Sequence, residues 1–229
     1  MTGITGRGGN MRIFEKNGVV WGSFFVLVLA FLIGHIVEAD VWLTTILKVM
    51  PSLVLTGAIV STYRRHQRVL MLVTLWMNVA GDVLLNVDRT RFFMAALVCF
   101  LMAHVMYTAL FARSFDYRSR ARMIVLVGVL LFAACLAVAL ARTPAEFRVP
   151  VYAYLAIITV MASSAVVNRS LRLAVGIGAI LFMVGDALIA INKFVVPIPS
   201  YTYVSIPIYF TAQIVMIHFY QRSMFADKR

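Results

Sequence analysis

With 62% hydrophobic and only 13% charged side chains over 229 residues, this chain carries about half the charge expected of a soluble domain. Its formal net charge of +12 would suit a nucleic-acid partner, but the basic residues are confined to short polar segments between long apolar blocks, which excludes that reading. Its two cysteines, Cys99 and Cys135, both fall inside apolar blocks, so a disulfide framework is excluded as well.

A membrane-spanning helix needs about 20 mostly apolar residues. Eight blocks meet that length approximately, at residues 19–36, 41–61, 69–87, 92–112, 121–141, 149–168, 171–191 and 203–221. None shows the period-two alternation of barrel strands. The prediction is an all-α fold, a polytopic membrane bundle of about eight transmembrane helices. Residues 1–18 are polar and Gly-rich and read as a disordered leader before a retained first helix, because no small-residue cleavage site follows that helix. Residues 19–221 read as a single transmembrane domain and 222–229 as a tail. Trp21, Trp42 and Trp76 read as belt or packing residues.

Charge sets the expected orientation. With an inner N-terminus, the inner segments hold 15 Lys and Arg, the outer ones hold Arg89, Arg91, Arg142, Arg148 and Lys193, and Lys48 is left inside a helix. The positive-inside rule then puts both termini in the cytoplasm, and the inner basic residues meet anionic lipid heads. Arg used in preference to Lys, together with short loops, points to a bacterial inner membrane.

The third and seventh segments carry an internal echo. Gly81-Asp82-Val83-Leu84-Leu85-Asn86-Val87-Asp88-Arg89 closes one, and Gly185-Asp186-Ala187-Leu188-Ile189-Ala190-Ile191-Asn192-Lys193 closes the other. The copies are four helices apart and so run the same way, which suggests a parallel four-plus-four repeat about an axis along the membrane normal. Gly176 and Gly178, two apart in the seventh segment, read as a close-packing surface.

Few titratable groups lie deep inside the blocks: Lys48, Asp82, His104 and Asp186. Ionisable side chains at such depth cost several kcal/mol and usually mark a functional site. Asp82 and Asp186 stand about one to one and a half turns from the outer ends of their helices, Lys48 about two turns below the same surface, and His104 nearer the midplane. Asn78, Asp82 and Asn86 recur every four residues and form one polar stripe. His104 with Tyr107, and Tyr209 with Gln213, share helix faces in the same way. Each residue also has a structural reading: a packing glycine beside an interfacial acid, a snorkelling lysine, a hydrogen-bonded core histidine, or ordinary interhelical bonds. His35, His66 and His218 lie near helix ends or loops and carry no such signal.

Taken in order, these stretches resemble the YhhN-like membrane proteins, a family that includes the lysoplasmalogenases. The resemblance rests on Lys48-x-x-Pro51, Gly81-Asp82, Phe100-Leu101-Met102-Ala103-His104-x-x-Tyr107, the run Gly178 to Phe194 around Gly185-Asp186, and Tyr209-x-x-Ala212-Gln213. Two departures are Gly185, where many members have Ser, and the spacing of Lys48 from Pro51, which others place side by side. The resemblance implies hydrolysis of the vinyl ether bond of a lysophospholipid, giving a fatty aldehyde and a glycerophospho-headgroup. Asp82, Asp186 and His104 would then be catalytic, the two carboxylates dividing acid and base roles as in glycoside hydrolysis. Lys48, Asn78, Tyr107, Asn192, Lys193, Tyr209 and Gln213 would contact substrate, with Lys48 on the phosphate.

No cofactor is expected. A zinc site of His104 and both aspartates is a less favoured variant. The expected partners are a lysophospholipid and the bilayer, not nucleic acid. A transporter or flippase of a small amphiphile shares the buried charges and the repeat, but it would need access from both sides. A non-catalytic lipid-binding protein has no need of two buried acids at matched depth.

Overall fold

The computed structural model describes residues 18–62 and 65–226. The expected leader, apart from Gly18, and the last residues of the expected tail lie outside the described residues. Eight α-helices follow one another: α1 (Gly18–Ile36), α2 (Val41–Thr62), α3 (Arg65–Val87), α4 (Phe93–Phe111), α5 (Arg120–Ala139), α6 (Ala145–Val167), α7 (Leu173–Phe194) and α8 (Tyr201–Ala226). A single 3₁₀ turn, Leu140–Arg142, prolongs α5. Among the described residues, the last seven helices are long and apolar enough to cross a membrane, while the apolar stretch of α1, Val20–Ile36, is shorter. The chain is therefore a polytopic helical membrane protein. All eight predicted segments are helices, and their ends move by at most four or five residues.

Local chemistry sets the helix ends. Glu38 adopts φ 53°, and Ala39 N–H reaches back to Gly34 O at 2.9 Å, the closing bond of a left-handed C-cap. Asp40 then caps α2, its Oδ1 accepting from Trp42 N and Leu43 N at 2.8 and 3.1 Å; such a side chain satisfies amides that the first turn leaves unpaired. Pro51, Pro150 and Pro207 lie inside α2, α6 and α8.

The chain divides into two compact units, residues 1–99 and 100–229, with the boundary inside α4. In the first unit α2 packs against both α1 and α3, burying Phe24, Phe31, Leu55, Ile59, Met71 and Leu75. In the second, α6 packs on α5, α7 on α6 and, most extensively, α8 on α7. There the fully buried side chains include Tyr107, Phe111, Phe182, Phe210 and Tyr220. Outward apolar residues such as Ile124, Leu131 and Val138, each over 60% exposed, give α5 a face that suits hydrocarbon and would be unfavourable in water.

The α7–α8 contact depends on glycine. A Cβ on Gly178 would lie 2.7 Å from Met216 Cγ and 3.0 Å from its backbone N, so the backbones meet more closely than any side chain permits, as at small-residue interfaces of membrane helices. Gly176 meets Val166 in the same way, at 3.1 Å. The pair predicted to form a packing surface does so. At Gly185 an added Cβ finds only ordinary contacts, Ile208 Cγ2 at 3.7 Å and the Tyr209 backbone at 3.9 Å. We therefore expect Gly178→Ala to cost about 1–3 kcal/mol through overpacking, and Gly185→Ser to melt close to the parent in detergent. Equal melting of the two variants would contradict this account.

Candidate functional site

Each unit brings together a set of buried polar side chains. In the second unit the centre is Asp186, 7% exposed on α7. Its Oδ2 accepts a hydrogen bond from Tyr154 Oη of α6 and lies 3.3 Å from Nε2 of His104 on α4. That histidine is fully buried. Its Nδ1 is hydrogen-bonded to Phe100 O, one turn back on the same helix. A carbonyl oxygen can only accept, so Nδ1 carries a proton and donates it. Nε2 is therefore the atom left for chemistry. Its contact with Asp186 is close but outside hydrogen-bond alignment.

An aromatic cage surrounds this centre. The imidazole meets the rings of Tyr154 and Phe182 edge-on, with centroids 5.2 and 5.0 Å away. Phe182 in turn touches Tyr107 at 6.3 Å and Tyr209 at 5.2 Å. Gln213 Nε2 donates to Tyr209 Oη at 2.6 Å, across the helix face that their four-residue spacing makes them share. Among the described residues, Gln213 Oε1 and Tyr107 Oη, both on residues with no exposed surface, have no hydrogen-bond partner. Buried polar atoms are nearly always paired, so these two remain available to a ligand or to water.

In the first unit the set joins α2 to α3. Lys48 Nζ and Asp82 Oδ1 are 3.0 Å apart with both side chains under 10% exposed. One turn away, Asn86 Nδ2 donates to Thr45 Oγ1 at 2.8 Å and to Thr44 Oγ1 at 3.2 Å. The two contacts step three to four residues along each helix in opposite senses, as antiparallel neighbours must. Asn78 continues the stripe one turn deeper. It has no exposed surface, and neither amide atom is hydrogen-bonded.

The expected residues thus fall into pairs that spacing alone does not define. His104 meets Asp186, Lys48 meets Asp82, and Tyr209 meets Gln213. Asn192 and Lys193 stand about two turns outward from Asp186 on α7 and have partners of their own. Asn192 Oδ1 accepts from Ile198 N at 2.8 Å and closes the α7–α8 connection. Lys193 Nζ sits 5.7 Å from the ring centroids of both Phe147 and Phe194, a cation–π arrangement. Among the described residues no three His, Cys, Asp or Glu side chains gather as a metal-binding set.

Sequence reasoning missed Tyr154, Thr44 and Thr45. The depth criterion that selected the aspartates would have found Tyr154. It stands nine residues from the start of α6 at Ala145, and Asp186 stands eight from the end of α7 at Phe194. At about 1.5 Å per residue the two lie at nearly equal depth.

An all-helical membrane protein with acid and base groups buried among its helices is the class defined by these observations. The chain belongs to the YhhN family, whose model matches residues 43–219. It is similar to lysoplasmalogenase TMEM86A of Bos taurus, with 29% identity over 145 residues. That alignment covers 59% of this chain, and the chain spans 58% of the relative's length. No solved structure matches.

Proposed function

We propose that this protein is a membrane-embedded hydrolase that cleaves the vinyl ether bond of a lysoplasmalogen, releasing a fatty aldehyde and a glycerophospho-headgroup. The observation that carries the reading is the buried contact of Asp186 with His104 and Tyr154, an acid–base group in an aromatic cage inside apolar helices. Membership of the YhhN family and the similarity to a lysoplasmalogenase support it.

The chemistry requires one proton donor beside an apolar chain. Protonating the β-carbon of the vinyl ether moves its π electrons into the new C–H bond and leaves an oxocarbenium ion. Water adds to that cation and loses a proton, and the hemiacetal then collapses to the aldehyde and the glycerol hydroxyl. The His104–Asp186 contact supplies a proton and a balancing negative charge in a place where water is scarce and each charge interaction is strengthened. Tyr107 and Gln213 offer one donor and one acceptor to the attacking water. The single alkenyl chain lies among apolar helices, and the anionic headgroup stays at the outer surface. Lys48 remains in its ion pair with Asp82. Both termini face the cytoplasm in this reading, which follows from the charge asymmetry of the connecting segments.

The test is release of fatty aldehyde from lysoplasmalogen by the purified protein, with Asp186→Asn as control. Aldehyde from the parent and none from the folded variant supports the reading. If well-folded parent protein releases no aldehyde from ethanolamine or choline substrates, the reading fails. Substrate-dependent flux across liposomes would then favour a carrier of amphiphiles.

A further inference from the structure

We propose that the proton donor is the His104 imidazolium, not an aspartic acid, and that Tyr154 is a positioning residue that keeps Asp186 as its ionised partner; this rests on the hydrolase reading above.

The argument is a proton count. Nδ1 of His104 donates to Phe100 O, because that carbonyl can only accept. In a neutral ring Nε2 would then present a lone pair to Asp186 Oδ2 at 3.3 Å. Close to a carboxylate, with both groups buried, that lone pair is repelled even out of line with the oxygen. A proton on Nε2 or on the carboxyl group removes the repulsion. Tyr154 decides which, because its hydroxyl already donates to the same Oδ2. A hydrogen bond donated to a carboxylate is stronger than one donated to a neutral carboxylic acid, so the tyrosine hydroxyl is best matched by the charged form. The arrangement that satisfies all three groups is Tyr–OH to carboxylate, with the proton on Nε2. It also makes the buried pair neutral overall, as burial of charge requires.

The geometry suits delivery. Because the Nε2 proton is near Oδ2 but not aligned with it, no strong hydrogen bond must break before it turns to a substrate carbon. In the forward step the Nε2–H bond breaks, its electron pair stays on nitrogen, and the β-carbon gains the proton. When water adds to the oxocarbenium ion, the released proton returns to Nε2. Histidine begins and ends protonated, and one water is consumed per ether cleaved. Asp186 holds the charge throughout without itself giving up a proton.

The expected behaviour separates this from a purely structural role for Tyr154. Phenylalanine at 154 keeps the ring against His104 and removes only the donor. We expect Tyr154→Phe to lower kcat by about 10- to 100-fold, with KM within threefold of the parent and an unchanged melting temperature. In ¹⁵N spectra at neutral pH, with His104→Gln used for assignment, His104 should show the imidazolium pattern in the parent. In Tyr154→Phe it should show the neutral pattern, protonated at Nδ1. A neutral His104 in the parent, or parental kcat in Tyr154→Phe, overturns the proposal. The spectra do not depend on turnover, so a parent protein that releases no aldehyde overturns the hydrolase reading while the place of the proton is decided separately.

Discussion

Asp186→Asn is expected to lower aldehyde release by about 10²- to 10⁴-fold, the range lost when an acid–base group is removed. The substitution keeps shape and size but leaves Oδ2 as a neutral amide oxygen, or presents an amide N–H in its place. Either way the charge facing His104 Nε2 at 3.3 Å is gone. An imidazolium without its counter-ion would be a lone buried cation, so the ring becomes neutral and has no Nε2 proton to give. Tyr154 still has an amide oxygen to donate to, and Asp186 is 7% exposed among apolar neighbours, so folding should survive. The check is kcat on lysoplasmalogen beside a thermal melt in detergent. A folded Asn variant that works at the parental rate would remove Asp186 from the mechanism.

A second large effect is expected on stability. Lys48→Met should cost about 3–5 kcal/mol, because it removes the ammonium that stands 3.0 Å from the buried Asp82 carboxylate. Asp82→Leu should cost a similar amount by stranding the lysine. The double variant Lys48→Met with Asp82→Leu should recover most of that loss, since a buried ion pair replaced by apolar groups of similar volume is often close to neutral. Non-additivity of this kind is the signature of a direct contact, here the 3.0 Å separation of Lys48 Nζ and Asp82 Oδ1. Melting temperatures of the three variants decide it. If the single-variant losses simply add in the double variant, the pair is not coupled. An active double variant would in addition place the pair outside the chemistry.

Much of this was legible before any coordinates. The eight helices follow from block length alone, because a bilayer of fixed thickness demands about 20 apolar residues per crossing and backbone polar groups in hydrocarbon force a helix. The distance of Lys48, Asp82, His104 and Asp186 from their helix ends also followed, since helical rise per residue is nearly constant. Spacing alone put Tyr209 and Gln213 on one helix face, where the structure joins them by a hydrogen bond. Contacts between helices were different. Lys48 stands beside Asp82, a pairing between helices that no spacing reveals. Tyr154 was passed over as one aromatic among many, although it donates to Asp186. Asn192 closes a loop and Lys193 sits against phenyl rings, contacts that the run Gly178 to Phe194 does not reveal by itself.

The sequence by itself therefore determined which segments are helices and how far along its helix each polar side chain stands. Those are one-dimensional properties of rise and hydropathy. Only the tertiary structure decided the pairings, because which face of a helix meets which neighbour depends on its rotation about its own axis. That rotation is set by packing such as the Gly178–Met216 contact. A hydropathy pattern cannot encode it where lipid and protein interior are equally apolar.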